Sequence, residues 1–188
     1  MWEFLFSIDQ SLLKLINQVL SNGLFDWFFP FITDLHHNKV VLYGFLPLLI
    51  SYIIYRHKMV GAVLVVGLMV CIAWVDFSGG QIIKPFFERM RPSAQGLDVV
   101  MRCPHFNGYS FISNHSANMF AAAIYTIEFS KFWGRILLVY AILIAYSRVY
   151  CGVHFPADVI GGAIYGALIG IFFAACSKFL IARLAKGN

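Results

Sequence analysis

Apolar runs of up to about 25 residues, separated by short polar stretches, constrain this chain more than any other feature. The runs at 40–55, 60–83, 116–129, 132–146 and 156–180 predict helices that cross a membrane. Hydrophobic residues make up 60% of the sequence and charged residues only 12%, about half the charged share of a soluble domain. We therefore expect an all-α integral membrane helical bundle with five full spans, or with six spans as the alternative.

The N-terminal stretch differs from the rest of the chain. Its apolar residues recur at helical spacing, but Asp9, Lys14 and Gln18 interrupt them, which is typical of helices that lie in the interface. Ser21-Asn22-Gly23 then breaks the helix, and the apolar run that follows is too short for an upright crossing. We expect a single domain, 1–188, in which interfacial helices at 1–36 precede a helical bundle at 40–182.

Three polar segments, 84–92, 110–115 and 147–158, each lie at the end of an apolar run. With five spans, all three segments fall on the same side of the membrane. Together they hold cations, histidines and a carboxylate in a chain that is otherwise poor in charge. We expect them to converge on a phosphate.

The first two segments contain groups that bind anions. Lys84 offers a point charge and Arg91 a planar fork of donors, although cations at the end of a span often only anchor it to headgroups. Ser113 and Asn114 precede an Ala-rich helix, whose free N–H groups and positive dipole end attract an anion. His115 can hold or deliver a proton there, while an ordinary helix cap is the alternative.

The third segment combines Arg148, a further phosphate donor, with His154 and Asp158. If this region is helical, the spacing of four residues places His154 and Asp158 on one face. The carboxylate could then bond one ring nitrogen of His154 and leave the lone pair of the other free to attack. An isolated His–Asp pair is usually structural, but the nearby arginine favours a nucleophile.

In order along the chain, the segments read Lys84-x6-Arg91-Pro92, Ser113-x-His115 and Ser147-Arg148-x5-His154-x3-Asp158. This pattern resembles the three-part motif of the type 2 phosphatidic acid phosphatase superfamily, and the resemblance covers roughly residues 40 to 180. Ile112 and Asn114 stand where the family commonly has proline and glycine. These departures bear on the rigidity of the loop and on the choice of substrate.

The resemblance implies that 40–182 is a catalytic bundle and that the chain is a metal-independent membrane lipid phosphatase without a cofactor. His154 would form a phospho-histidine, Asp158 would orient it, and His115 would protonate the leaving oxygen and then activate water. The phosphoryl oxygens would be held by Lys84, Arg91, Ser113, Asn114 and Arg148.

Among lipid substrates we favour undecaprenyl diphosphate over phosphatidylglycerophosphate, phosphatidic acid and lipid A phosphates. A phosphotransferase that uses an alcohol acceptor is one alternative. A non-catalytic membrane protein that binds lipid is another.

Net charge and cysteine spacing limit the possible partners. The charge of +5 includes no basic run of the kind that binds nucleic acid, and the four cysteines fit no metal spacing. A Cys103–Cys151 disulfide is possible if both loops face an oxidising compartment.

We place the chain in a bacterial inner membrane with the site facing the periplasm or exterior. The opposite side would be cytoplasmic and carries Arg56, Lys58, Lys131, Arg135, Lys178, Arg183 and Lys186.

Several polar residues remain outside the motif. An acid within an apolar span is costly, so Asp76 should face the bundle interior, either in a functional role or in a helix-packing hydrogen bond. Arg89, Arg102 and His105 either contact a second phosphate or are solvated loop charges. His36-His37 is interpreted as part of the interface. The glycines that recur every four residues, Gly162, Gly166 and Gly170, predict close helix packing.

Overall fold

A computed structural model describes residues 2–35, 38–104 and 107–186, which form helices joined by turns and loops and contain no strand. The helices of this part of the chain are α1 (Trp2–Lys14), α2 (Gly23–Thr33), α3 (Leu46–Ser78), α4 (Lys84–Phe87), α5 (Asn114–Ile127), α6 (Lys131–Tyr150) and α7 (Pro156–Lys186). Wider π-helical turns occupy Leu15–Val19, Val41–Phe45 and Gly79–Ile83, and a 3₁₀ turn occupies Pro92–Gln95. The all-α prediction is therefore confirmed for these residues.

Helix α3 is broken at Lys58, where φ is 51° and ψ is −128°. The break falls at the end of the first predicted span. The two halves pack closely, because a Cβ added to Gly61 would lie 3.0 Å from the carbonyl carbon of Ile53. Three helical stretches of the described residues are long and apolar enough to cross a membrane, namely Val41–Gln95, Lys131–Tyr150 and Pro156–Lys186. The count of five spans stays a prediction.

Helices α5 and α7 meet along their small residues. A Cβ on Gly162 would lie 2.6 Å from the Ser113 carbonyl oxygen, and one on Gly170 would lie 2.7 Å from that of Ala121. A Cβ on Gly166 would overlap the carbonyl of Ala117. The prediction that these glycines serve packing is confirmed, and the close contact holds the N-terminal end of α5 beside the start of α7.

Asp76 does not face the bundle interior, and that prediction is wrong. Asp76 is an exposed residue of α3. Its carboxylate accepts hydrogen bonds from Asn114 Nδ2 at 3.0 Å and from Asn118 Nδ2 at 3.3 Å. The alternative of a helix-packing hydrogen bond fits, because the acid ties α3 to α5.

The N-terminal helices are docked on the bundle through polar groups as well as apolar ones. Asn17 is fully buried, donates to the carbonyl oxygens of Val100 at 2.9 Å and Tyr150 at 2.8 Å, and accepts from the Val100 N–H. Leu13 and Phe29 are buried in neighbouring apolar clusters. A purely interfacial description of these helices is therefore incomplete, since they cover the connection that carries two of the polar segments.

Candidate active site

The three polar segments meet at one end of the bundle. The Ser113 N–H donates to the backbone oxygen of Asp158 at 3.0 Å, which joins the second segment to the third. Arg91 Nη1 donates to the Val153 carbonyl at 2.8 Å and lies 3.3 Å from His154 Nε2, which joins the first segment to the third. The predicted convergence of these segments is thus present in the structure.

Asp158 lies in the first turn of α7 and its side chain is fully buried. Oδ2 accepts from the Phe155 N–H at 2.9 Å and from the Ser110 hydroxyl, while Oδ1 accepts from Arg89 Nη1 at 2.6 Å. Oδ2 also lies 3.4 Å from His154 Nδ1. These donors leave the carboxylate a single orientation, in which one oxygen faces the imidazole.

His154 lies in the turn before α7 and not on a helix, so the expected helical spacing with Asp158 is wrong in detail. The contact forms instead because the Asp158 side chain reaches back over the helix start to the Phe155 N–H. The pair therefore meets through a capping geometry.

The neighbours of His154 select one tautomer. Arg91 carries only donors and an ionised Asp158 only acceptors, so the neutral ring carries its proton on Nδ1 and a lone pair on Nε2. Burial lowers the pKa of His154 to about 4, with Arg91 and Arg148 also lowering it and Asp158 raising it. The ring is therefore neutral at ordinary pH, and the nitrogen with the lone pair lies beside a guanidinium.

Two further predicted phosphate ligands surround this pair. Arg148, in the last turn of α6, is only 1% exposed and donates from Nη1 to Thr33 Oγ1 of α2 at 2.9 Å. Its charge nevertheless acts on His154. Lys84, at the start of α4, is partly buried and interacts electrostatically with Arg91 and Asp158. The segments thus concentrate positive charge around the imidazole.

The second segment supplies the start of α5. Ser113 is fully buried and caps the helix, with Oγ accepting from the Ser116 N–H at 3.5 Å. Asn114 directs its side-chain amide to Asp76. His115 is the second residue of α5 and is partly exposed. It follows Ser113, which is bonded to Asp158, so it lies at the same end of the bundle as His154.

Arg89 and Arg102 are not solvated loop charges. Arg89 bridges Asp158 and Asp9, and Arg102 donates from Nε to Asp26 Oδ1 at 2.6 Å. The expectation of solvated loop charge is wrong for these two arginines, because acids of the N-terminal helices hold their guanidinium groups, and contact with a second phosphate stays a prediction. His105 and His36-His37 lie outside the described residues.

Sequence reasoning missed Asp9 and Ser110 as well as the role of Arg89. The signal for Asp9 was present, because an acid within an apolar helix requires a partner. Ser110 had no such signal, since buried serines are common and its bond to Asp158 crosses 48 positions.

Cys103 and Cys151 form a disulfide, with their Cα atoms 5.5 Å apart. It ties the long connection to the turn between α6 and α7. In the described parts of the chain, His, Cys, Asp and Glu residues form no group of three or more that could hold a metal ion.

Comparison with known proteins defines the class. Residues 58–182 match the family model of the PAP2 superfamily, which is the superfamily that the three segments resemble. The match covers well over half of the chain, so the chain belongs to the PAP2 superfamily.

Individual relatives refine this assignment. The chain is 32% identical to the lipid A 4'-phosphatase of Bacteroides thetaiotaomicron, across 98% of this chain and 83% of the relative. It is 30% identical to the undecaprenyl-diphosphatase of Sulfolobus acidocaldarius, across 68% and 60%. The structure of Aquifex aeolicus LpxE is similar with a TM-score of 0.65 and 32% identity, over 87% of this chain and 92% of that one. A PAP2-type phosphatidylglycerolphosphate phosphatase from Bacillus subtilis shares the fold, with a TM-score of 0.69 and 23% identity, over 93% and 86%.

The chain is therefore a membrane lipid phosphatase of the PAP2 superfamily. The alternative of a non-catalytic lipid-binding protein is set aside.

Proposed function

We propose that this phosphatase hydrolyses a lipid phosphate through a phospho-histidine intermediate. The lone pair of His154 Nε2 attacks phosphorus, and the new N–P bond forms as the P–O bond to the lipid breaks. His115 donates a proton to the departing oxygen. It then takes a proton from water, which attacks the phospho-histidine and releases inorganic phosphate.

The contacts of the two ring nitrogens of His154, from which its tautomer is inferred, are the observation that carries this mechanism. A nucleophilic imidazole must be neutral and must present an unprotonated nitrogen to the substrate. Asp158 at Nδ1 and Arg91 at Nε2 both favour that form, and burial keeps the ring neutral. Arg91 already lies beside the atom that would bond phosphorus, where its charge can stabilise the charge that builds up on the phosphoryl oxygens.

The remaining cations hold the phosphoryl group in this proposal. Lys84, Arg91 and Arg148 supply positive charge, and the start of α5 adds backbone N–H groups at Asn114 and His115 beside Ser113. Because Arg91 and Arg148 are buried, their attraction for an anion is less screened than at a surface. Their fixed charge is what the mechanism uses, without a metal or a cofactor.

A lipid A type phosphate is the first substrate to test. Two relatives named lipid A 4'-phosphatase, from Bacteroides thetaiotaomicron and Porphyromonas gingivalis, align with 98% and 90% of this chain. Undecaprenyl diphosphate, which the sequence favoured, is the second candidate. The undecaprenyl-diphosphatase of Sulfolobus acidocaldarius supports it over a shorter alignment.

We also propose a single domain, 1–188, in a bacterial inner membrane, with its site facing the periplasm. The Cys103–Cys151 disulfide supports this orientation, because disulfides persist in oxidising compartments and this one lies at the site end of the bundle. The basic residues at the opposite end support a cytoplasmic location for that end.

Substitution of the two histidines tests the mechanism. In purified protein, His154→Ala should abolish phosphate release from a panel of lipid A, undecaprenyl diphosphate and phosphatidylglycerophosphate, and His115→Ala should lower its rate by about 10²-fold to 10⁴-fold. Glu128→Gln, which removes an exposed ion pair with Lys178, is the matched control and should retain activity. Full turnover by His154→Ala would exclude it as the nucleophile. Mass spectrometry with added alcohols would reveal transfer in place of hydrolysis.

A further inference from the structure

Arg89 lies between two carboxylates from opposite ends of the chain. Nη1 donates to Asp158 Oδ1 at 2.6 Å, and Nη2 donates to Asp9 Oδ2. Asp9 Oδ1 in turn accepts from the Ala157 N–H at 2.8 Å, so α1 contacts the first turn of α7 directly. The Arg89 side chain is only 20% exposed, and both acids are buried.

The guanidinium of Arg89 makes contacts through its face as well as through its edge. The Arg89 Cζ atom lies 4.1 Å from the centroid of the Phe155 ring and 5.8 Å from that of Phe6. A planar fork can stack on a ring and donate to two carboxylates at once, whereas the ammonium of lysine cannot do both. This site therefore requires arginine.

From this geometry we infer that Arg89 and Asp9 are positioning residues for the reaction, which hold Asp158 with Oδ2 directed at His154. This inference rests on the proposed roles of His154 and Asp158. Arg89 occupies Oδ1, so the opposite oxygen is left for Nδ1 of the imidazole. Asp9 neutralises Arg89 and fixes its position, and it lies outside the matched family region that begins at residue 58.

A role in packing alone makes a different prediction from a role in positioning. If Asp158 loses Arg89, its carboxylate is held at Oδ2 alone, by the Phe155 N–H and the Ser110 hydroxyl, and can turn about that oxygen. Its contact with Nδ1 of His154 then weakens, and the attacking nitrogen loses its fixed tautomer. The chemical step then slows, but the cations that bind phosphate are untouched. A positioning role thus lowers kcat and leaves KM nearly constant.

The experiment compares Asp9→Asn, Asp9→Glu and Arg89→Lys with wild type, using lipid A or undecaprenyl diphosphate in detergent micelles. Asp9→Asn has no charge and one acceptor oxygen in place of two, so it cannot accept from the Ala157 N–H and from Arg89 together. It should lower kcat by about 10-fold to 100-fold, a typical effect of residues that orient a reacting group, with KM within about twofold. Asp9→Glu should recover most of the activity, and Arg89→Lys should not. Ser11→Ala, which removes only a bond within α1, is the control.

Equal kcat for Asp9→Asn and Ser11→Ala would overturn the inference. So would equal losses in Asp9→Asn and Asp9→Glu that parallel a drop in melting temperature. If Arg89→Lys does not fold, the inference is tested by comparing kcat of Asp9→Asn with kcat of Asp9→Glu. His154→Ala is run alongside: if it is inactive while Asp9→Asn matches wild type, only the positioning role fails, whereas an active His154→Ala removes the mechanism itself.

Discussion

The protonation state of His154 is the most direct test of the site, because it can be observed without substrate. The structure predicts a neutral ring with its proton on Nδ1, between a carboxylate that can only accept and a guanidinium that can only donate. Both the tautomer and the pKa follow from named contacts, so each can be perturbed separately.

Burial lowers the pKa of His154 from 6.5 to about 4, which corresponds to about 3.4 kcal/mol. At pH 5 about 90% of rings with this pKa are neutral, compared with about 3% of rings with the ordinary histidine pKa. The fraction of neutral imidazole therefore differs by about 30-fold. In the proposed mechanism the neutral form is the nucleophile, and this form is lost only as the pH falls through about 4. Because the folded pKa lies below the unfolded one, stability also decreases as the pH falls from 6.5 towards 4.

The measurement is ¹⁵N NMR of protein labelled at its six histidines, with His154→Gln used to assign the resonances. From pH 8 to pH 5, Nδ1 of His154 should show the shift of a protonated nitrogen and Nε2 that of an unprotonated one. Asp158→Asn should abolish the preference for this tautomer. On the scale known for histidine oriented by a carboxylate, it should also lower turnover by about 10⁴-fold.

Two results would refute this reasoning. One is a His154 resonance that titrates near pH 6.5, which would mean that the ring is solvated or paired differently. The other is a proton on Nε2, which would leave no lone pair beside Arg91 and would make attack from this nitrogen impossible.

The remaining predictions concern other parts of the chain. His115→Ala should lower the rate of phosphate release by about 10²-fold to 10⁴-fold, as expected for loss of a general acid, without changing the melting temperature. Gly166→Ala would overlap the Ala117 carbonyl and should cost about 1–3 kcal/mol in thermal unfolding, whereas Gly44→Ala meets nothing within 4 Å and should be nearly neutral. Removal of the disulfide with Cys103→Ser should cost about 4 kcal/mol for a separation of 48 residues, and reductant should then leave the melting temperature of that variant unchanged.

The residues of the motif could be predicted because charge is rare in this sequence. Lys84, Arg91 and Arg148 lie where apolar runs end, and few other places in a membrane bundle tolerate a cation. Their order along the chain then placed them on one side of the membrane. Topology and charge were sufficient for this much of the site.

The supporting residues could not be predicted in the same way. Asp9 contacts Arg89 across 80 positions, and Asn17 contacts Val100 across 83. Such pairs depend on how α1 folds over the long connection, which no local pattern of a single sequence encodes. Asp9, a polar residue within α1, indicated an interfacial helix, but its carboxylate contacts the bundle by accepting from Arg89 and from the Ala157 N–H.

Asp76 shows why the burial of an acid in an apolar span is harder to predict than its need for a hydrogen-bond partner. The cost of an unpaired acid in an apolar span required a partner, and the structure provides Asn114 and Asn118. The same cost did not require burial, because two amides on the neighbouring helix can satisfy the carboxylate at an exposed position. An acid in a membrane helix therefore predicts a polar neighbour more reliably than it predicts an inward direction.

The site combines rigid helix ends with a connection that is fixed from outside the bundle. Ser113 and Asp158 stand at helix starts whose positions are set by the packing of α5 against α7, and Lys84 stands at the start of α4. Arg89 belongs to the connection, which is held by Asp9, Asn17 and the disulfide as well as by apolar contacts of Leu97 and Val99. In the proposed mechanism, small helix-packing errors would move the phosphate ligands, whereas loss of the Asp9 contact would weaken the hold of Arg89 on Asp158. We therefore expect the N-terminal helices to affect the chemical step, even though none of their residues is proposed to touch the phosphate.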